Sequence, residues 1–501
     1  MLRPSRPPSD QPRSRLALFS LGLALLVGLL LRLWLAGLNA GITMDSPRYV
    51  GMAEAIAQGE RMPGPAHHGY PALIAVTALA VSGREWPGRV VSLVAGMAVL
   101  LLVHALARRT LSPGWATLAV WLVALHPLAA VYSGAIMTES TVLALFYGSL
   151  LLIETRRFGL GGTLLGASYV VRPDALALAL FAVLFSGGGR RGALWVLAGF
   201  AVVLIPYLGY LRWERGTWML TPKTVLVRPA FEAKGEAEWR VGASRDTDEG
   251  PRALGDRIRW AAPSIARHYR PGLQRHLALL RRAWPWPWVA LSVAGWVVWR
   301  RALLAPIFLV VVLPLLTVPF EARFSLLLVP ALAVFAANGG SWLTARLAAR
   351  VPRVSSWGVA IAAFGAWWVW SGPIGLQARY FDDGPMAQMR EAGAWLADHA
   401  RPGTVVMDRK AYVPFFAGLE HIQLPNDDYD TILDFARRSG ADFLVVEEYV
   451  VATLRPQLLR LVQDRDFRLR EKRVRQAFVT GTVPMTGVAV FEVVRDSVAA
   501  P

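Results

Sequence analysis

The chain has 501 residues, 54% of them hydrophobic, a mean hydropathy of +0.40 and a formal net charge of +18. Apolar residues at that density, gathered in long runs, exclude a soluble enzyme and mark a polytopic membrane protein. The lack of cysteine excludes disulfides, thiolate metal sites and a cysteine nucleophile, so a metal would have to rest on His and carboxylate ligands. The basic residues sit mostly as short pairs between apolar runs, the pattern of cytoplasmic loops and not of a nucleic-acid surface.

Residues 1–15 are Pro- and Arg-rich and are expected to form a disordered cytoplasmic N-terminus, held there by Arg3, Arg6, Arg13 and Arg15. The apolar run from Leu16 to Leu38 would be about 34 Å long as a helix, enough to cross a bilayer and too long for a signal peptide. Arg32 interrupts it near the outer end, where it either snorkels to the interface or faces a polar cavity. The stretch Met44–Pro71 follows on the outer side. Ser46 fits an N-cap, Pro47 suits the first helical position, and the helix should stop at Gly59. Asp45 then precedes a helix start, with Arg48 and Tyr49 close by. His67, His68 and Tyr70 come next, among Pro and Gly residues. A solvated loop with ordinary caps reads the same way. Tyr70 to Ser82 is apolar but too short to span, which predicts a helix lying in the interface.

The later runs alternate across the membrane. Arg89–Ala107 returns to Arg108 and Arg109, Trp115–Tyr132 goes out, and Thr138–Ile153 comes back to Arg156 and Arg157. Leu160–Val171 and Ala175–Phe185 are half-length and flank Arg172-Pro173-Asp174, which predicts a hairpin that does not simply span. Ala193–Leu211, Trp286–Trp299, Leu303–Val318, Phe324–Ala337 and Ser356–Trp370 complete about eleven segments, with every short basic loop on one side. In the tail, helices at Met386–His399, Thr431–Arg438 and Leu454–Val462 alternate with strands at Thr404–Met407, Phe443–Glu447 and Val488–Val494. The expected organisation is an α-helical polytopic membrane domain over residues 16–372, with outer loops at 39–87 and 213–284, and a small extracytoplasmic α/β domain over 373–501. That domain has no phosphate-binding Gly loop and no nucleophile elbow.

This topology brings Asp45, Arg48, His67 and His68, Met137-Thr138-Glu139, Arg172-Pro173-Asp174, Glu321 and Arg323 to the outer face. Arginine suits phosphate because its planar fork donates parallel hydrogen bonds, and a carboxylate suits taking a proton from an attacking hydroxyl. Plainer roles stand beside these. Glu139 fits a helix cap and Arg323 an interfacial snorkel, whereas Arg172, a charge between two apolar halves, calls for a use.

An Asp after the first helix followed by Arg48-Tyr49, Gly69-Tyr70-Pro71 before an apolar helix, Thr138-Glu139 opening the fourth span and the Arg172-Pro173-acid turn form an ordered set. In that set the chain resembles the GT-C type membrane glycosyltransferases, among them dolichyl-phosphate-mannose protein mannosyltransferases and lipid A aminoarabinose transferase. The resemblance covers roughly residues 16–372. It implies transfer of a sugar from a polyprenyl-phosphate carrier to a lipid, glycan or protein hydroxyl on the outer side of the membrane, with inversion. By the same resemblance Asp45 is the catalytic base, Arg172 contacts the carrier phosphate, and Arg48, Tyr49, Tyr70, Glu139 and Arg323 contribute to the donor site. Two departures matter. Many members carry Asp-Glu where this chain has Asp45-Ser46, and the aminoarabinose branch has Glu-Lys-Pro where this chain reads Ala66-His67-His68-Gly69. His67 and His68 are candidates for a divalent ion or for phosphate. The composition and the simple basic start point to a bacterial inner membrane with the site facing the periplasm. The competing expectation is a transporter or flippase, which should show related halves and broken helices near the midplane.

Overall fold

The computed structural model describes residues 11–38, 42–43, 45–61, 66–173, 187–222, 286–299, 322–350, 384–460, 469–474 and 487–494, with isolated positions at 175–176, 179, 183, 241, 263, 274, 278 and 284. The expected segments 303–318 and 356–370, and most of 175–185, lie outside the described residues. The chain divides into two compact units, one of residues 1–37, 49–223 and 265–379, the other of residues 38–48, 224–264 and 380–501.

The first unit is a helical bundle. Its helices are α1 (Gln11–Gly37), α2 (Ser46–Gln58, entering from the second unit), α3 (Gly69–Ala78), α4 (Trp86–Ala107), α5 (Pro113–Ala124), α6 (Pro127–Gly134), α7 (Glu139–Glu154), α8 (Phe158–Val171), α9 (Gly189–Arg215), α10 (Trp286–Trp299) and α11 (Val329–Arg350). α1 begins at Gln11, so residues 11–15, expected to be disordered, extend the first helix. Among the described residues four helices are long and apolar enough to cross a membrane, within α1, α4, α9 and 326–347, or five if α5 and α6 count as one bent span. The protein is therefore an integral membrane protein. α2 ends where Gly59 takes a φ of +71°, a conformation glycine adopts without strain.

The straight span expected over Trp115–Tyr132 is broken. α5 ends at Ala124, α6 starts at Pro127, and their axes bend by 62°. Pro127 has no N–H to continue the helix, and His126 Nδ1 accepts from Ala129 N at 3.4 Å as the new cap. Arg32 reaches the carbonyls at this break. Its Nη1 donates to Ala124 O at 2.8 Å and to Gly28 O at 3.0 Å, and its Nη2 to Val123 O at 3.4 Å. Arg32 is fully buried and lines a small cavity with Tyr132, Ser133 and Ser140, so of its two expected orientations the inward one holds. α8 lies against α9 through glycine: a Cβ on Gly162 or Gly199 would overlap the facing carbonyl of Val196 or Gly159.

The second unit carries a five-stranded mixed sheet in the order β2-β1-β3-β5-β4. Its strands are β1 (Val405–Asp408), β2 (Glu420–Gln423), β3 (Phe443–Glu447), β4 (Leu469–Val474) and β5 (Val488–Val493). β1 pairs in parallel with β2 and β3, while β5 runs antiparallel to β3 and β4. Helices α12 (Gly384–His399) and α13 (Tyr412–Ala417) also pack on the sheet, while α14 (Tyr429–Arg438) and α15 (Glu448–Thr453) share a core with it around Met407, Ile432, Leu433, Leu444, Val446 and Phe491. Asp428 caps α14 by accepting from Thr431 N at 3.0 Å, and Arg437 and Arg438 sit on its negative end. The helix expected at Leu454–Val462 is not formed as such. Pro456 opens a 3-10 turn, Pro456–Leu459, after α15 has ended, because the residue before a proline is pushed out of the helical region.

Candidate functional site

Glu139 is the hub of the first unit's charged site. It opens α7, where the positive end of the helix dipole favours a carboxylate, and only 3% of its side chain is exposed. Arg172 Nη1 donates to its Oε1 at 3.0 Å, and Arg323 Nε lies 3.8 Å from the same oxygen. The two guanidinium groups stay partly open, at 14% and 17% side-chain exposure. Residues from three distant parts of the chain, each expected in the site, are thus brought together.

Each member has a support. Arg172 leaves α8 with extended backbone, ahead of Pro173, which stops the helix and turns the side chain out of the α8 stack. Arg323 sits in a 3-10 segment, Ala322–Leu328, that Tyr147 pins: its hydroxyl donates to Leu327 O at 2.8 Å and accepts from Ala331 N at 3.1 Å. Tyr70 is fully buried. Its hydroxyl donates to Gly88 O at 3.0 Å and meets Ser92 Oγ at 2.8 Å, and Ser92 Oγ donates to Met137 O at 3.1 Å. Tyr70 therefore reaches the segment that carries Glu139 through Ser92. Tyr49 packs edge-on against it, with ring centroids 5.2 Å apart.

His67 and His68 form a second cluster with residues the sequence reading missed. His68 Nε2 meets Glu214 Oε1 at 2.9 Å, and His68 Nδ1 meets the Tyr207 hydroxyl at 3.2 Å. Tyr210 donates to Glu214 Oε1 at 3.4 Å and Arg215 Nε to its Oε2 at 3.1 Å. His67 Nε2 meets Thr221 Oγ1 at 2.9 Å, and its ring stands edge-on to Tyr169 at 5.3 Å. Burial holds His68 below its ordinary pKa, against the pull of Glu214. The overlooked signal is the spacing Tyr207, Tyr210, Glu214, which puts three polar groups on one face of α9.

The second unit holds the other acid. Asp45 lies 3.8 Å from Arg48, one turn along the chain, and both are partly exposed. Ser46, expected to cap α2, is buried, and its Oγ accepts from Thr43 N at 2.8 Å, closing the turn that leads into the helix.

Comparison with known proteins now adds the fold. No family model matches the chain, and no curated protein sequence does. Solved structures do. ArnT from Cupriavidus metallidurans in the apo state aligns over 96% of this chain and 98% of its own, with a TM-score of 0.57 at 12% identity. The same protein bound to undecaprenyl phosphate covers 97% and 99%, with a TM-score of 0.54 at 13% identity. The archaeal oligosaccharyltransferase AglB from Archaeoglobus fulgidus, in complex with an inhibitory peptide and a dolichol-phosphate, covers 88% of this chain and 70% of its own, with a TM-score of 0.52 at 13% identity. Both are GT-C glycosyltransferases. This chain has the GT-C fold.

Two arginines anchored on one carboxylate oxygen present a positive, part-open surface suited to a phosphate. A metal is poorly served: among the described residues no three His, Asp or Glu gather closely enough to hold one, and His67 and His68 turn to Thr221 and Glu214 respectively.

Proposed function

We propose that this protein is a membrane glycosyltransferase that moves a sugar from a polyprenyl-phosphate carrier to the hydroxyl of a lipid, glycan or protein acceptor, with inversion, on the outer face of a bacterial inner membrane. The observation that carries the reading is the pair Arg172 and Arg323 on Glu139, in a fold shared with a protein bound to undecaprenyl phosphate and another in complex with a dolichol-phosphate. Arg172 and Arg323 bind the carrier's phosphate, and Glu139 holds them in place. Asp45 is the base, oriented by Arg48. Tyr49, packed on Tyr70, borders the donor site.

The reaction is a single displacement. Asp45 takes the proton of the acceptor hydroxyl as its oxygen attacks the anomeric carbon. The bond from that carbon to the phosphate oxygen breaks, and polyprenyl phosphate leaves with the electron pair. The arginines stabilise the charge that grows on the leaving phosphate, a role that commonly contributes several kcal/mol. The phosphate ester supplies the driving force, so no nucleotide is needed.

The test is a transfer assay with purified protein and a panel of polyprenyl-phosphate sugars, comparing wild type with Asp45→Asn. Turnover of one carrier that disappears in the variant is expected. Asp45→Asn protein that keeps full activity would overturn the assignment of the base. The broken span at Pro127 is the one observation that favours a transporter; uptake of lipid carrier into vesicles without sugar transfer would support that reading instead.

A further inference from the structure

Arg32 puts a charge in the apolar bundle that its neighbours answer only in part. The residue is 1% exposed. Its Nη1 donates to Gly28 O and Ala124 O and its Nη2 to Val123 O, while Nε meets no hydrogen-bond acceptor among the described residues. All three acceptors are neutral carbonyls. Ala124 O belongs to the last residue of α5, whose negative end carries about half an elementary charge. Among the described residues no carboxylate pairs with Arg32. Glu139, which precedes Ser140 of the cavity wall, is already shared by Arg172 and Arg323. A guanidinium stays charged at any ordinary pH, and a buried charge without an opposite one is costly.

The unpartnered Nε faces the cavity. Gly96, Ser133 and Ser140 line it with Arg32. A Cβ on Gly96 would stand 3.5 Å from Arg32 Nε and would collide with Ser133 Oγ, so the two polar groups converge over a face that only glycine leaves bare. Ser140 Oγ stands 3.2 Å from Tyr132 O and 3.3 Å from Ser133 Oγ, long bonds whose single proton is free to swing to a guest. Ser140 also sits in the first turn of α7, and the positive end of that helix adds to the field of Arg32. The cavity offers about 10 Å³ to the centre of a water-sized sphere, room for one small guest. Val99, Leu143 and Leu326 make much of the remaining wall, which leaves too few donors for a sulfate or a phosphate.

We propose that this cavity is a binding site for a single monatomic anion, of which chloride is the common one, held as the counter-ion of Arg32 through Nε and the Ser140 hydroxyl. The bound ion joins α1, α6, α7 and the segment Ala322–Leu328 that carries Arg323. The inference goes beyond the function proposed above and does not depend on it. A water in the same place would satisfy Nε and leave the charge unanswered.

The test uses full-length protein in detergent, purified in sodium gluconate, whose anion is too bulky for the cavity. Thermal unfolding is followed while chloride, and separately bromide, replaces gluconate at constant ionic strength. The wild-type midpoint should rise by about 3 °C along a saturable curve with either halide. Arg32→Met removes the charge and should lose that rise. Ser140→Val keeps Arg32 and fills the cavity, and it should lose the rise too, which covers the case where Arg32→Met does not fold. A wild-type midpoint indifferent to the exchange overturns the inference and leaves the cavity to water. A rise that survives in either folded variant overturns it as well, because the ion then binds elsewhere. Crystals of the wild type grown in bromide place the ion without any variant. An anomalous peak within hydrogen-bond reach of Arg32 Nε is expected, and no peak there overturns the inference.

Discussion

Arg172 Nη1 donates to Glu139 Oε1 at 3.0 Å and so ties the end of α8 to the start of α7. Arg323 leans on the same oxygen. Glu139→Ala would leave two partly buried guanidinium charges facing each other without their shared acceptor. Breaking such a pair typically costs on the order of 3 kcal/mol. Thermal unfolding in detergent should show that loss, and Glu139→Gln, which keeps the shape and one acceptor oxygen, should lose less. In both variants KM for the lipid carrier should rise, because the arginines no longer converge.

Arg172 separates fork from charge. Arg172→Lys keeps the positive charge but loses the planar donors that meet phosphate two at a time. We expect kcat/KM to fall about tenfold in Arg172→Lys and further in Arg172→Ala, with the alanine variant also melting lower because it leaves the buried Glu139 without its hydrogen-bonded partner. A lysine variant as active as wild type would show that charge alone suffices there.

His68 makes stability depend on pH. Its folded pKa lies below the ordinary histidine value, chiefly through burial. Between the two values the unfolded chain binds a proton that the folded one refuses. Stability is therefore full above the ordinary value and declines as pH falls from there towards the folded one. Melting at pH 5 should be lower than at pH 7.5, and His68→Gln should flatten the difference. Equal slopes in variant and wild type would place the pH dependence elsewhere.

Arg32 is a charge answered by backbone. It donates to Ala124 O at 2.8 Å beside the break at Pro127, and also to Val123 O, which accepts from His126 N as well. Arg32→Met fills similar space but removes the donor to Ala124 O in an apolar bundle, at about 2–3 kcal/mol. Arg32→Lys, with an ammonium able to reach one carbonyl, should recover part of that. Thermal unfolding of the three proteins decides it.

What the sequence made legible was local. The ends of α2 follow from Pro47 and Gly59, because turn and glycine chemistry acts on its own neighbours. Glu139, Arg172 and Arg323 stood out because charges at the ends of apolar runs are rare. The break at Pro127 was passed over, since hydropathy does not register a missing N–H. β2 and β4 were missed for a related reason: they are the two edges of the sheet, and β2, Glu420–Gln423, lacks the apolar run of a buried strand. Glu214 pairs with a histidine 146 residues earlier in the chain, and no local pattern encodes such a partner.

Asp408 is fully buried at the end of β1, and neither of its carboxylate oxygens reaches a hydrogen bond among the described residues, though the N–H groups of Arg409, Lys410 and Val413 face it. Burial, and then the charge of Glu447, lift its pKa well above the ordinary value. Between those two values the folded protein holds a proton that the unfolded chain has released. Its contribution to stability is therefore full below the ordinary value and is lost as pH rises through the folded one. Asp408→Asn copies the protonated carboxyl and removes the charge from a site that cannot solvate it. At pH 8 the variant should be more stable than wild type by on the order of 1 kcal/mol. The gap should narrow at pH 5 and close only below the ordinary carboxylate value, where the unfolded chain holds the same proton. Melting curves of the full-length protein at both pH values test the pair, and an asparagine variant less stable at pH 8 would mean that the ionised carboxylate, held by those N–H groups, is the form the fold requires.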